Sequence, residues 1–413
     1  MTLLRRIRHY IEKGLIYLFA LGFLLVGCQN PSASPPETTE TSSSKDQQNS
    51  GLENTNESNS SEASDQSTSN ISGKVNETSE VSQKEIHPLD GLTLTEGQLL
   101  QNDHVTNKTL YLQTLDPLVS YLYPTVSQYR YDLDNQKLEL IHTRDPQSNQ
   151  RVWDFFEKDG HLYESLVTAT DDGYCAYITV DGNKIWEGTI IDASITPFFG
   201  TNDGIVTFFA WTLEGDSSVE TLYQIDSNLE VVPIWSSKTS ESNEHMITNS
   251  KLHDDYSIPA FTTQGDNGIN VYYYRDGKLT SVPYDSVASV VIPIQDGIIL
   301  GRRNQADIKN FVYDFLDFRD GSISPLKNEN GDLGQKNLGA AFDDRLFYVD
   351  FDANTNIATV ENGELEIQKI SNLPSGISNY YRIDDQNVLI YIDAYTSDEN
   401  QIVHYPHYYI VHL

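Results

Sequence analysis

Acidic side chains recur in the polar segments between the apolar runs of the C-terminal part of the chain. Five such segments each contain one that we single out: Asp172, Asp216, Asp266, Asp307 and Asp398. Carboxylates on the loops of a rigid scaffold can bind a cation or a basic partner. Aspartate is also a common turn residue, because its side chain bonds to the nearby backbone. Both interpretations stay open: a ligand-binding acidic ring, or turns that are only structural.

A sixth segment, DFDANTN, has a more regular pattern. It places oxygen donors at alternate positions: Asp350, Asp352, Asn354 and Asn356. This resembles a Ca²⁺ loop, in which alternate carboxylates and amides and a late glutamate surround the ion. Thr355 stands where that pattern has glycine, and Glu361 would lie at the far end of a following strand. The resemblance therefore allows Ca²⁺ at these four residues, without Glu361; no other cofactor is expected.

The remaining reactive side chains do not form a catalytic pattern. The chain has two cysteines, which excludes a disulfide scaffold and a cysteine-rich metal site. Cys175 lies in the middle of a strand pattern, which predicts a small buried residue. His404 and His412 would share one face of a strand and His407 the other, so the three are not expected to bind one metal. No nucleophile, zinc-protease or nucleotide-binding motif occurs, and we assign no catalytic residue.

The N-terminus has the features of an export signal. Four basic residues precede an apolar run from Leu15 to Val26, which is too short to span a bilayer as an ordinary helix. The run ends in Leu25-Val26-Gly27-Cys28. This sequence resembles the lipobox of bacterial lipoproteins, which has a branched apolar residue at −3, a small residue at −1 and the modified cysteine at +1.

The resemblance implies that residues 1–27 are a signal peptide and that Cys28 is the lipidated N-terminus. Two acyl chains anchor a protein more firmly than one, so we expect attachment to the cell membrane on its extracytoplasmic side. The whole chain has 27 basic and 60 acidic residues. Residues 1–27 contain four basic residues and one acidic residue, so their removal changes the net charge from −33 to −36. Such acidity argues against a nucleic-acid partner. An envelope protein or a cell-wall polysaccharide is the partner we expect.

Residues 28–88 are rich in Ser, Thr, Asn and Glu and nearly free of large apolar residues. Such a composition buries too little surface to offset chain entropy. We therefore expect a lipidated cysteine followed by a disordered linker, and a folded domain over residues 89–413.

The folded part contains short runs of Val, Ile, Tyr, Phe and Thr, separated by Asp, Gly and Asn, which is typical of strands and turns. Two interleaved series of turn dipeptides, Asp159-Gly160 and Asp181-Gly182 among them, recur about every 45 residues. Each period holds four strands. This resembles a β-propeller, and we expect an all-β fold of about seven four-stranded blades. A pair of β-sandwiches is the alternative. We expect the four tryptophans, Trp153, Trp186, Trp211 and Trp235, to fill the space between blades.

Two functions are compatible with this sequence. The absence of a catalytic motif, and acidic loops spread over all blades, favour a propeller that acts as a binding or interaction module. The alternative is a surface glycoside hydrolase or another polysaccharide-active propeller enzyme, whose carboxylates would lie near the central channel.

Overall fold

The fold consists of antiparallel strands joined by hairpins, and Asp-Gly dipeptides form many of the tight turns. Asp159 and Gly160 have φ values of 52° and 82°, and Asp276 and Gly277 have 52° and 70°. A two-residue hairpin turn needs positive φ at both central positions, which glycine and aspartate tolerate. These aspartates are therefore structural, as the sequence predicts.

The computed structural model describes residues 80–413, apart from 91, 93, 95–96, 172, 203, 242, 251–257, 295, 304–310, 328–336, 343–344, 350–353, 362, 375, 393–394, 399–400 and 405. The expected signal peptide, Cys28 and residues 29–79 lie outside the described residues. Within these ranges, no helix is long and apolar enough to cross a membrane.

The described strands form seven four-stranded antiparallel sheets, which are the blades of a β-propeller. The first strand, β1 (Ser82–Ile86), belongs to the last blade. Blade 1 consists of β2 (Leu99–Thr106), β3 (Thr109–Leu115), β4 (Thr125–Asp132) and β5 (Lys137–Thr143). Blade 2 consists of β6 (Gln150–Lys158), β7 (His161–Thr170), β8 (Gly173–Val180) and β9 (Asn183–Ile190). Blade 3 consists of β10 (Phe199–Asn202), β11 (Ile205–Glu214), β12 (Ser217–Ile225) and β13 (Val231–Lys238).

The later blades repeat this order. Blade 4 consists of β14 (His245–Asn249), β15 (Ala260–Gly265), β16 (Gly268–Arg275) and β17 (Lys278–Tyr284). Blade 5 consists of β18 (Val290–Ile294), β19 (Gly297–Arg303), β20 (Phe311–Asp317) and β21 (Ile323–Leu326). Blade 6 consists of β22 (Asn337–Ala341), β23 (Arg345–Val349), β24 (Thr355–Glu361) and β25 (Glu364–Ile370). Blade 7 consists of β26 (Ile377–Arg382), β27 (Asn387–Ile392), β30 (His407–His412) and β1, and its hairpin insertion consists of β28 (Tyr395–Asp398) and β29 (Gln401–His404). Two short 3₁₀ helices, Pro146–Ser148 and Ala193–Ile195, lie in the connections that follow blades 1 and 2.

The N-terminal strand closes the ring. β1 pairs with β30, with Ser82 opposite His412 and Ile86 opposite Tyr408. Ile86 is buried in an apolar cluster that also contains Leu110 of blade 1 and Leu389 of blade 7. The pairing covers the outer side of β30 and joins the last blade to the segment that leads into the first blade.

The domain therefore begins before residue 89. Four of the five residues of β1 are exposed, and only Ile86 is buried. An outermost strand with one buried side chain has the polar composition of a linker. Residues 82–86 were for this reason predicted to belong to the linker range 28–88.

Apolar clusters fill the interfaces between blades. Trp186 of blade 2 packs edge-on against Phe208 of blade 3, with ring centroids 5.4 Å apart. Trp235 of blade 3 lies 4.8 Å from Phe261 of blade 4. These two tryptophans fill the space between blades, as predicted.

A buried polar contact links the first strands of three blades. Asp154 of β6 is fully buried. Its Oδ1 lies 3.2 Å from Nδ1 of His104 in β2, and its Oδ2 accepts a 2.7 Å hydrogen bond from the N–H of Phe199 in β10. Buried polar groups of this kind stabilise a structure only when they are paired, so Asp154 is expected to fix the positions of these strands.

The strand order gives the propeller two distinct faces. The turn face carries the first-to-second and third-to-fourth strand turns of each blade, such as Asp159-Gly160 and Asp181-Gly182. The loop face carries the second-to-third strand connections and the connections between blades. Because β1 is antiparallel to β30, it runs from the turn face to the loop face. The chain thus enters the propeller at Ser82 on the turn face.

Candidate functional site

The predicted acidic residues that can be placed lie on the loop face. Asp216 occupies the β11–β12 turn and Asp266 the β15–β16 turn, and both are exposed. The Asp266 carboxylate accepts a 2.6 Å hydrogen bond from the Asn243 amide. Asp398 lies in β28, but its side chain is outside the described residues, as are Asp172 and Asp307. The fold places Asp216 and Asp266 in neighbouring blades, 3 and 4.

A lysine offsets part of the charge of this acidic region. Lys238 Nζ lies 3.0 Å from a carboxylate oxygen of Glu214 and 3.0 Å from one of Glu241. Hydrogen bonds to Glu214 and Glu241 raise the pKa of Lys238, so the ammonium stays charged. The acidic loops of blade 3 therefore carry an internal counter-ion.

The two described residues of the proposed Ca²⁺ loop have other contacts. The side-chain oxygen of Asn354 accepts a hydrogen bond from Lys369 Nζ. Asn356 is buried in β24, and its amide donates to the Asn354 carbonyl at 3.0 Å. Glu361 ends β24, at the far end of the strand, as expected. Asp350 and Asp352 lie outside the described residues. Across the described chain, no group of three His, Cys, Asp or Glu side chains could hold a metal ion.

Cys175 and the C-terminal histidines have structural surroundings. Burial raises the pKa of the Cys175 thiol, which disfavours the reactive thiolate. His407 Nδ1 lies 3.1 Å from Glu85 Oε1 of β1, and His412 Nδ1 lies 3.3 Å from Asn387 Oδ1. Two of these histidines thus contact the strands of the closing blade.

The longest fully described second-to-third strand connection is residues 116–124 of blade 1, DPLVSYLYP. The Asp116 carboxylate accepts a 2.9 Å hydrogen bond from the Leu118 N–H, and the Asp116 N–H donates to the Pro124 carbonyl at 2.9 Å. The Tyr123 N–H donates to the Ser120 carbonyl at 3.0 Å, with Tyr123 at a φ of 54°. These bonds hold the loop in one conformation.

Buried contacts seat this loop on blade 2. Leu122 is buried in a cluster with Val167 and Ile190. The Leu122 carbonyl accepts a 3.2 Å hydrogen bond from Arg151. The Arg151 guanidinium lies 3.9 Å from the centroid of the Trp153 ring, a cation–π distance. Trp153 therefore supports the loop face, and it also packs against Phe198 at 6.3 Å.

The loop exposes large apolar side chains despite this anchoring. Leu118 is 78% exposed, Tyr121 68% and Tyr123 38%. The Tyr121 ring lies edge-on to the Tyr174 ring of blade 2, with centroids 6.4 Å apart. Tyr174 pairs with Ile190, and the next residue, Ile191, is also exposed. We call these four exposed residues the tyrosine patch: Leu118, Tyr121, Tyr123 and Ile191.

Exposed carboxylates lie on the segments that contact the tyrosine patch: Asp145, Asp171 and Asp192. Asp192 follows Ile191, and Asp171 lies in the turn before Tyr174, whose ring contacts Tyr121. Asp145 begins the short segment that ends at Asn149, whose side chain accepts a hydrogen bond from the Ser120 hydroxyl.

Arg144, in the segment that joins blades 1 and 2, and Arg151, at the start of β6, both bind groups of the protein itself. Arg144 pairs with the buried Glu164, and Arg151 donates to Gln101 at 2.7 Å as well as to Leu122.

The tyrosine patch was not predicted from the sequence. Its apolar residues resemble a strand in composition, and their exposure depends on the loop that the fold creates. The only available signal was the pair of prolines, Pro117 and Pro124, which bracket the segment and interrupt strand pairing.

Comparisons with known proteins concern the fold. No protein-family model matches the chain, and no curated protein matches it. Solved structures with a similar fold include the β-propeller domain of the Trilobed protease from Pyrococcus furiosus, at 11% identity and a TM-score of 0.43, over 76% of this chain and 94% of that one. An oligogalacturonate lyase in complex with manganese matches at 11% identity and a TM-score of 0.46, over 82% and 96%.

A third match is the Pyrococcus horikoshii acylaminoacyl peptidase, at 10% identity and a TM-score of 0.44, over 74% of this chain. The chain spans about half of that peptidase, 52% of its length. A puromycin hydrolase, of which the chain covers 57%, matches at 8% identity. Identities this low say nothing about activity.

Proposed function

We propose that this protein is a lipid-anchored, extracytoplasmic binding module that holds an envelope component on the loop face of its propeller. The observation that carries the proposal is the exposure of Leu118 and Tyr121 on a loop fixed by hydrogen bonds. Soluble proteins rarely group large apolar side chains on a rigid exposed loop unless a partner covers them.

The lipobox-like sequence at Cys28 supports the anchoring part of the proposal. The chain enters the propeller at Ser82 on the turn face, so its point of attachment leaves the loop face free for a partner. The linker before it is long enough to let the domain act at a distance from the membrane.

Fractionation of cells tests the anchoring. The full chain is expressed as wild type and as Cys28→Ser, and the membrane, soluble extracytoplasmic and medium fractions are probed. We expect the wild type in the membrane fraction, and the variant unlipidated, as judged by incorporation of a labelled fatty acid. Equal fatty-acid labelling of both proteins would overturn the assignment of Cys28. Cys175→Ser is the matched control.

Affinity purification of the full chain from detergent-solubilised native envelope, without cross-linking and at low and high salt, tests the binding function. A protein or a polysaccharide that is retained at low salt and depleted at high salt supports a binding module that acts through its acidic loop face. Retention of no component at either salt contradicts it. Release of new reducing ends from envelope polysaccharide would instead show the enzymatic alternative.

A further inference from the structure

The tyrosine patch protrudes from the surface, so it is suited to contact with another macromolecule and not to the binding of a small ligand. A leucine that is 78% exposed protrudes from its loop, whereas small molecules bind in concave sites. A protruding apolar side chain is removed from water when apolar side chains of another macromolecule cover it. Aromatic anchors such as Tyr121 commonly dominate interfaces.

The charges beside the patch favour a partner with a positively charged surface. Asp145, Asp171 and Asp192 are exposed on the connections of blades 1 and 2, and Arg144 and Arg151 are bound internally. Two of these aspartates also accept hydrogen bonds from the backbone: Asp145 from Gln147 and Asp192 from Ser194, at 2.9 Å and 2.8 Å. These bonds fix the carboxylates in place without neutralising them. The rim of the patch is therefore negative.

Resting on the function proposed above, we propose that the tyrosine patch docks a protein surface on which apolar side chains are surrounded by lysine and arginine. Lysine or arginine beside the apolar side chains that cover Leu118 and Tyr121 would pair with the three aspartates, and complementary charge of this kind speeds association and fixes orientation. The binding surface thus lies over blades 1 and 2, not over the acidic turns of blades 3 and 4.

Two other occupants fit less well. A polysaccharide can stack on Tyr121, but Leu118 offers it neither a ring face nor a hydrogen-bonding group. An anionic membrane surface is repelled by the three aspartates.

A binding assay with defined probes tests the proposal. The full-length protein in detergent is titrated against a labelled short peptide with a Leu-Phe centre and lysines on both flanks. Two further peptides replace either the lysines with glutamates or the Leu-Phe centre with serines. We expect binding of the first peptide only, with an affinity that falls as salt rises.

Variants locate the binding surface. Leu118→Ser with Tyr121→Ser is expected to weaken binding of the first peptide about tenfold or more. The triple variant Asp145→Asn, Asp171→Asn and Asp192→Asn is expected to weaken it several-fold and to remove most of its salt dependence. Val287→Ser is the apolar control, because Val287 is 45% exposed in the connection between blades 4 and 5. Asp216→Asn with Asp266→Asn is the acidic control, and neither control should change the affinity. Circular dichroism checks that each variant is folded.

The contrary results distinguish a failure of this inference from a failure of the binding function proposed above. Loss of binding in Asp216→Asn with Asp266→Asn, but not in the blade 1 and 2 variants, overturns the inference. The binding surface would then lie at the acidic turns of blades 3 and 4. Absence of peptide binding, with an envelope component still retained by the full chain, overturns the partner class and leaves the binding function intact. Retention of an anionic vesicle or a polysaccharide that depends on Leu118 and Tyr121 assigns the patch to that ligand instead.

Discussion

Replacement of Ile86 by alanine tests how the ring is closed. Ile86 is the one buried side chain of the N-terminal strand and lies between blades 1 and 7. An Ile→Ala change in a packed core costs about 2–5 kcal/mol. If the loss is about 3 kcal/mol, division by the entropy of unfolding of a domain of this size gives a Tm that is lower by about 4 °C. Differential scanning calorimetry and urea unfolding of the full chain measure both quantities.

Lys84→Ala is the matched control, because Lys84 lies on the same strand and is exposed. It should shift the free energy of unfolding by less than about 0.5 kcal/mol. A chain that begins at residue 89 should be less stable than Ile86→Ala, since it also loses the pairing with β30. It further loses the hydrogen bonds that Val81 and Gln83 make with Asn372, at 3.1 Å and 2.8 Å. Equal stability of Ile86→Ala and Lys84→Ala would refute closure by this strand.

Two further substitutions test the interior and the turns. Asp154→Ala removes the buried acceptor shared by His104 and the Phe199 N–H. Urea unfolding should show a loss of about 1–3 kcal/mol in the free energy of unfolding, and a loss below about 0.5 kcal/mol would contradict its role as a link between blades. Hydrogen bonds from His161 and from the Leu162 N–H lower the pKa of Asp181. Its contribution to stability is therefore present above the unfolded pKa near 3.9 and is lost as the pH falls through the folded value. Urea midpoints between pH 6 and pH 2 should fall less steeply for Asp181→Asn than for the wild type, and parallel profiles would refute the assignment.

Each of these two substitutions has a control at another aspartate. Asp216→Ala removes an exposed carboxylate of the loop face and should leave the unfolding free energy unchanged within about 0.5 kcal/mol. Asp276→Asn alters the same turn position as Asp181, two blades further along the chain. It should shift the free energy of unfolding at pH 6 by less than about 0.5 kcal/mol.

The repeating turns made the propeller predictable from the sequence. Dipeptides such as Asp159-Gly160 and Asp276-Gly277 adopt the positive φ angles that two-residue hairpins need, so their spacing reflects the length of a blade. The N-terminal strand escaped prediction for a physical reason. An outermost strand needs only one apolar residue, Ile86, and its pairing with β30 is more than 300 residues distant in the chain.

The candidate site was less predictable. Aspartates such as Asp216 were expected in the segments between strands, and the strand order places Asp216 and Asp266 on the loop face. Whether a carboxylate lies free or beside a counter-ion depends on neighbours in other strands, as Glu214 and Lys238 show. The exposure of Leu118 likewise arises from the way Leu122 anchors its loop on blade 2, which composition does not reveal.

Site-specific photo-cross-linking in intact cells shows whether a partner is held on the loop face. A photoreactive residue is placed in the full chain at Tyr121 on the loop face, or at Asn228 in a turn of blade 3 on the turn face. We expect one discrete adduct with an envelope protein from position 121, lost when Leu118 is also changed to serine, and none from position 228. Adducts from position 228 alone, or equal adducts from both positions, would contradict a partner held on the loop face.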